Sequence, residues 1–268
     1  MKVAARAVPI LLYHSVDETV PSVYSPYAVS PSLFDSHMHT ISANGFVTLT
    51  VSELARHFRQ KTPVPDRCVL VSIDDGLLDF GLGAMPVLQK YGLKATLFVV
   101  AGLVGKSSQW LEPLGQGKRP MLNWQQLRAF AGQGVEIGAH SLSHPQLDIL
   151  NARQAAAEIG TSRKLLQDGL GQPVISFAYP HGYASQTTRN LVRLAGYECA
   201  CRVRNAYTQQ TEDQFGLSRI NIDSSVTPEI LESILFGTAG YPVAPATDRP
   251  ISKAWRLARK LRKVAGLV

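Results

Sequence analysis

Three short segments of this chain hold residues whose types and spacing could do chemistry. The first is Val71-Ser72-Ile73-Asp74-Asp75-Gly76. Adjacent carboxylates at the end of an apolar run repel each other unless something binds them. Such a pair suits one carboxylate on a metal ion and the other free to take a proton, with Gly76 allowing a sharp turn. The second segment runs Glu136-Ile137-Gly138-Ala139-His140 and continues Ser141-Leu142-Ser143-His144-Pro145. Histidines at i and i+4 can converge on one ion if the backbone makes a single turn between them. The third, Phe177-Ala178-Tyr179-Pro180-His181-Gly182, is suited to forming a pocket wall and presenting backbone N–H groups. Two nitrogens, one carboxylate oxygen and an open position make the layout of a catalytic zinc-type site. Amide hydrolysis at such a site needs an activated water, an oxyanion site and an acid for the leaving amine.

Each segment follows a short apolar run, so strands must position them. Strands are predicted at Pro9–Tyr13, Phe46–Leu49, Cys68–Ile73, Ala95–Val100, Val135–Ala139, Val174–Ala178, Cys199–Val203 and Leu217–Ile222. Helical patterns separate most of them: Pro31–Ala43, Ser52–Phe58, Phe80–Tyr91, Asn123–Ala131, Asn151–Asp168, Ser185–Ala195 and Pro228–Leu235. Ser30 before Pro31 is an N-cap followed by proline at the first helical position. Thr50 with Glu53 reads as a capping box, and Gly92, Gly132 and Gly196 stand where helices should end. Alternating β and α elements predict an α/β fold, a distorted (β/α)7-8 barrel, whose active site lies at the C-terminal ends of the strands.

Composition sets the remaining bounds. The chain has 268 residues, 45% hydrophobic and 18% charged, which fits one globular catalytic domain. The three cysteines, Cys68, Cys199 and Cys201, are too few and odd in number for a disulfide framework. They read as small buried hydrophobes, with a metal or redox pair as the alternative. The net charge is +7, but Lys253, Arg256, Arg259, Lys260, Arg262 and Lys263 supply six of those charges; setting them aside leaves the body at +1. The basic character therefore belongs to a tail, and it does not argue for nucleic acid. The predicted domains are a catalytic unit over 1–236, a linker over 237–250 and a basic amphipathic helix over 251–268. That helix either docks on the barrel or contacts anionic headgroups at a membrane surface. The N-terminal run Ala7–Tyr13 is too brief for a secretory signal, so the expected location is cytoplasmic, with membrane association at the inner face.

Taken together, the three segments resemble the motifs of the polysaccharide deacetylase family, also called NodB-homology or carbohydrate esterase family 4. Ser72–Gly76 is similar to its Thr-Phe-Asp-Asp-Gly motif, His140–His144 to its His-Ser/Thr-x-x-His motif, and Ala178–Gly182 stands in place of its Arg-x-Pro-Phe/Tyr-Gly motif. Leu12-Tyr13-His14-Ser15-Val16 is similar to the subgroup acting on poly-N-acetylglucosamine and related exopolysaccharides. The resemblance covers about Val8 to Phe236. It implies a metal held by Asp75, His140 and His144, typically zinc, with nickel or cobalt as alternatives. It implies Asp74 as the base that takes a proton from metal-bound water, a backbone N–H near His181 helping the oxyanion, and removal of N-acetyl groups from an amino-sugar glycan or glycolipid precursor.

The chain departs from that pattern in two places. Ala178 replaces the arginine that orients the base; Arg219 is the candidate substitute, with Asp223 beside it. No histidine follows His181, so the family's late Leu-x-His acid is missing. His181 is the first candidate for it and His14 the second. Tyr179, Pro180, His181 and His14 are the expected substrate contacts, while His37, His39 and His57 lie on predicted helices and are assigned no role. The alternative functions are a catalytically impaired carbohydrate-binding member of the family, a hydrolase of another amide such as N-formyl, and a membrane-surface scaffold.

Overall fold

A computed structural model describes residues 7–18, 20–245 and Arg259. Ten strands appear in chain order: β1 (Ile10–Tyr13), β2 (Ser15–Val16), β3 (Ala28–Val29), β4 (Val47–Thr48), β5 (Cys68–Ile73), β6 (Thr96–Val99), β7 (Glu136–Ala139), β8 (Ser176–Ala178), β9 (Cys199–Val203) and β10 (Leu217–Asn221). The helices are α1 (Pro31–Ala43), α2 (Val51–Gln60), α3 (Met85–Tyr91), α4 (Trp124–Gly132), α5 (Ala152–Leu170), α6 (Gln186–Leu194) and α7 (Pro228–Leu235). Strands run in the order β1-β10-β9-β8-β7-β6-β5, and β1 pairs again with β5, closing a seven-stranded parallel barrel. β4 adds to β5 outside the ring. The barrel thus has seven strands, and the remaining predicted strand, Phe46–Leu49, is its short outer edge β4.

Side-chain alternation sorts the strands into two cores. Leu11, Tyr13, Val69, Val71, Ile73, Leu97, Val99, Ile137, Ala139, Phe177, Tyr179, Ala200 and Ile220 face outward, packing against the helix layer. Ile10, Leu70, Phe98, Ala178, Cys199, Cys201 and Leu217 fill the interior. Cys68, Cys199 and Cys201 are buried and make no disulfide, in the hydrophobic role expected of them. α2 closes the lower end of the interior, contributing Val51, Leu54, Ala55 and Phe58. Its first turn is tied to the barrel by Val51 N–H donating to Thr96 Oγ1 at 3.0 Å and Ser52 N–H donating to Glu136 Oε2 at 3.1 Å.

Local signals set most boundaries. Ser30 caps α1, and Thr50 with Glu53 forms the capping box of α2. The predicted helix over Phe80–Tyr91 divides instead. Phe80–Ala84 makes a π-type turn and α3 begins at Met85. Pro86 has no N–H for the preceding turn, and a Cβ on Gly83 would lie 2.3 Å from the Val16 carbonyl oxygen. The turn therefore brings backbone against backbone where a regular helix would not fit. The stretch 237–245, read as linker, has no helix or strand, yet it is pinned: Tyr207 N–H donates to Pro242 O at 2.9 Å and Ala244 N–H to Tyr207 O at 2.8 Å. Among the described residues no helix is long and apolar enough to cross a membrane. The rest of the predicted linker, and the predicted basic helix apart from Arg259, lie outside the described residues, as does the membrane contact expected of that helix.

Gly138 lies on the interior side of β7, just below His140. A Cβ there would come within 2.5 Å of Phe98 and 2.6 Å of Ser176 Oγ. Gly138→Ala is expected to cost about 1–3 kcal/mol through overpacking, read as a lower urea midpoint with an unchanged m value.

Candidate active site

The site lies at the C-terminal ends of the barrel strands, in a cavity of about 430 Å³ lined by Asp74, Asp75, His140, His144, His14, His181 and the aromatic residues Tyr24, Tyr27, Trp110 and Tyr183. Alternation along β5 sends Ser72 and Asp74 inward and would send Asp75 outward. Asp75 instead adopts φ 77° and Gly76 φ 80°, which turns the second carboxylate back to the same cavity. Ser141, His144 and His181 also have positive φ, at 61°, 66° and 58°. Non-glycine residues seldom hold this conformation, and it persists only where the surroundings enforce it. Here Glu158 of α5 enforces it for the His140–His144 turn. Its carboxylate accepts from Leu142 N–H at 3.0 Å, Ser143 N–H at 2.9 Å and Ser143 Oγ at 2.6 Å. After His181, Gly182 has φ 71°, and a Cβ on it would lie 2.6 Å from Val203 Cβ, so glycine alone fits.

Asp75, His140 and His144 offer one donor atom each, all within 4.8 Å of one another. His140 Nε2 lies 3.6 Å and His144 Nε2 3.4 Å from Asp75 Oδ1. That oxygen is buried and has no protein hydrogen-bond partner. His140 Nδ1 bonds the Ala178 carbonyl at 2.8 Å, which fixes the ring and leaves Nε2 to face the cluster, the usual second-shell arrangement of a histidine ligand. Burial, with Asp74 and Asp79 nearby, raises the Asp75 carboxyl well above its ordinary value. Burial also lowers His140, and it lowers His144 well below the ordinary imidazole value. Two neutral imidazoles and a buried carboxylate that lacks a cation fit a divalent metal.

Asp74 is held differently. Arg219, on the interior face of β10 and fully buried, donates Nη1 to Asp74 Oδ1 at 2.6 Å and Nη2 to Oδ2 at 2.8 Å. Burial works to raise the Asp74 carboxyl. The charge of Arg219 and its guanidinium hydrogen bonds outweigh it and hold the group below its ordinary value. The guanidinium missing at Ala178 is thus delivered from another strand. Asp223 takes no part in this pair; it accepts from Ser225 N–H and Oγ at 2.9 and 2.5 Å.

Other expectations change. Tyr179 is fully buried in the outer core, and its hydroxyl donates to Phe215 O at 2.9 Å. Pro180 is buried as well. Neither lines the cavity, because alternation that points Ala178 inward must point Tyr179 outward. They shape the turn that presents His181 and Gly182 rather than a substrate wall. His14 and His181 do line the cavity. Burial is the main cause that lowers each, to about 4. His37 is a core residue bonded to Tyr13 Oη at 3.1 Å and Val226 O at 2.7 Å. Sequence reading passed over Tyr24, Tyr27, Trp110 and Tyr183, which come from irregular segments without periodicity. It also passed over Arg259 as a rim residue: its guanidinium meets the Asp148 carboxylate and lies over the Tyr183 ring, 3.7 Å from the centroid.

A parallel barrel with two histidines, two adjacent carboxylates and a paired arginine at its strand ends defines a metal-assisted hydrolase. Comparison with known proteins gives the family. The polysaccharide deacetylase profile matches residues 61–200, just over half of the chain. A Bacillus subtilis protein named in the same family is 29% identical over 219 residues, covering 82% of this chain and 72% of the relative. The poly-β-1,6-N-acetyl-D-glucosamine N-deacetylase of Staphylococcus aureus is 21% identical over 215 residues, covering 77% and 71%. The structure of the Streptococcus pyogenes deacetylase PplD in complex with acetate superposes with a TM-score of 0.75 at 26% identity, covering 85% of this chain and 97% of that one. The chain belongs to the polysaccharide deacetylase family, and it is a carbohydrate N-deacetylase.

Two outcomes follow from this geometry. Arg219→Met leaves Asp74 buried without its partner and is expected to lower stability by about 3–5 kcal/mol in urea unfolding at pH 7. Combined with Asp74→Asn, the loss should be clearly smaller than the sum of the two single losses. Addition of Zn2+ or Co2+ to chelator-treated protein is expected to stabilise it by about 2.7 kcal/mol at a hundredfold excess over Kd. The rise in melting temperature should be absent in Asp75→Asn.

Proposed function

We propose that this chain hydrolyses the acetamide of N-acetylglucosamine units in a glycan, with Asp74 as the base and Asp75, His140 and His144 as the metal ligands. The observation that carries this reading is the division of labour between two neighbouring carboxylates, one clamped by Arg219 and the other facing two imidazoles. A divalent cation at the three donors would polarise the acetamide carbonyl and increase the acidity of a water; the identity of that cation, with zinc the first choice, belongs to the proposal.

Arg219 keeps Asp74 ionised at neutral pH, so the carboxylate is ready to accept the proton of the attacking water as that water adds to the carbonyl carbon. Asp74 Oδ2 lies 3.7 Å from His140 Nε2, so the proton acceptor stands beside the ligand cluster. Protonated Asp74, still facing the Arg219 cation, is a strong acid. It can return the same proton to the amine nitrogen as the C–N bond breaks, releasing acetate and a free amino sugar. This route needs neither the missing late histidine nor a charged His181. His181 instead walls the mouth, its ring stacked with Tyr183 at 6.2 Å between centroids and tilted on His144 at 4.8 Å. The name of the Staphylococcus aureus relative supports poly-β-1,6-linked N-acetylglucosamine as the first substrate to try.

The test is acetate release from oligomers of β-1,6-linked N-acetylglucosamine by metal-loaded protein. Wild type should release acetate, and Asp74→Asn, with metal affinity retained, should lose about 10²–10⁴-fold in kcat, the usual worth of a positioned proton-transfer group. Bound metal with no acetate from β-1,6- or β-1,4-linked oligomers would reject this reading in favour of a carbohydrate-binding role.

A further inference from the structure

A second cavity opens beside the active-site mouth. It holds about 330 Å³ and shares Gly182, Tyr183 and Val203 with the catalytic cavity, so one ligand can reach into both. The steps above give it no part. Among the described residues that line it, Arg202, Arg204 and Arg259 are the cations and Asp148 is the one acid.

Two of the arginines are held from behind. Arg202 is 7% exposed, and its Nε–H donates to Gly216 O at 2.9 Å. Arg202 Nη2 lies 4.0 Å and Arg204 Nη1 3.6 Å from Glu212 Oε1. Glu212 does not itself line the cavity. Its buried carboxylate accepts from Thr208 Oγ1 at 2.7 Å, Ser218 Oγ at 2.6 Å and Ser218 N–H at 3.1 Å. It therefore orients two guanidinium groups without filling the space in front of them. The third group, on Arg259, meets the Asp148 carboxylate and covers the Tyr183 ring. Its Nε–H is buried and has no acceptor among the described residues. A buried donor left in that state costs about 1–3 kcal/mol. Tyr183 belongs to both cavities, so the ring that Arg259 covers also walls the catalytic mouth.

We propose that this arginine-lined cavity is an anion subsite, which takes a phosphate or carboxylate group carried by the amino sugar whose acetamide lies at Asp74. The proposal rests on the deacetylase reading above and adds a negatively charged substituent to the substrate. Guanidinium forks match the paired oxygens of phosphate and carboxylate, and the resulting hydrogen bonds are about twice as strong as neutral ones. A neutral sugar ring in the same place would displace water from three cations without offsetting their charge. The anionic group belongs on the sugar itself because the two cavities meet at a shared wall. Volumes of about 430 and 330 Å³ suit one sugar and one small substituent.

The test uses the full chain loaded with Zn2+, in an Asp74→Asn background where turnover is removed. Calorimetry compares N-acetylglucosamine 6-phosphate and 1-phosphate with neutral N-acetylglucosamine and with inorganic phosphate. At least one phosphorylated sugar should bind about tenfold tighter than the neutral one, the worth of one charge-assisted hydrogen bond. Arg204→Gln and Arg259→Gln should each remove most of that preference and leave the Kd of the neutral sugar unchanged. Raising the salt from about 0.05 to 0.5 M should likewise weaken only the phosphorylated sugar. Arg204→Gln also breaks a contact with Glu212, so Arg259→Gln, at the rim, carries the test if that variant fails to fold. Equal Kd values for neutral and phosphorylated sugars would overturn the subsite. So would a preference that survives both substitutions, which would place the anion on the metal. Inorganic phosphate that binds as tightly as the phosphorylated sugar, and is lost in the same variants, would assign the cavity to the free ion and overturn the substituent. Acetate release by wild type from neutral β-1,6-linked oligomers decides the deacetylase reading separately. Its absence, with the arginine-dependent preference intact, would remove the hydrolase and leave the anion site.

Discussion

The bidentate pair between Arg219 and Asp74 is the interaction on which the rest of the site depends. A guanidinium at 0% exposure inside a parallel barrel is tolerable only with a carboxylate in register to receive both of its N–H groups. Closure of the ring supplies that register. β10 and β5 flank β1 on its two sides, with Leu11 opposite both Ile220 and Val71. The pair sits within hydrogen-bonding distance of Ser72 and directly below the cavity. It consumes the negative charge of Asp74 without burying its chemistry. Asp75 is then the carboxylate without a cation of its own, and the histidines beside it complete a donor set.

Positive φ at Asp75, Ser141, His144 and His181 shows what it takes to gather these groups. Strands deliver side chains alternately to two sides, so neighbouring residues reach the same cavity only where the backbone leaves the extended region. Glu158 and Gly182 supply the restraint and the space that this requires. Stability and site geometry are therefore not independent here, because the elements that hold the turns, α5 and β9, are also main contributors to the outer and inner cores.

Much of this was legible in the sequence, and for a physical reason. Apolar runs of the right length located the barrel strands, Cys68–Ile73 and Cys199–Val203 to the residue, and capping residues located α1 and α2. The donor set stands at strand ends, where sequence spacing translates directly into position. Arg219 could be suspected because the resemblance calls for an arginine beside the base where this chain has Ala178. The assignment of Tyr179 and Pro180 to the pocket failed because it ignored the alternation that places Ala178 inward. Tyr24, Tyr27 and Trp110 were out of reach because they belong to loops and short turns. No period governs such segments, and only the folded chain reveals which way their side chains point.

Ring closure also has a temporal side. Arg219 and Asp74 are separated by 145 positions, and the strand that carries Arg219 is the last of the ring to be made. A nascent chain that has already formed the His140–His144 turn still holds Asp74 with no guanidinium against it. In that interval the buried carboxylate pair opposes its own burial, and the half-ring keeps an open edge at β1. Contacts of such long sequence separation carry a loop-closure cost that must be met before they reward it. Assembly of the ring and completion of the Arg219–Asp74 pair are thus one event.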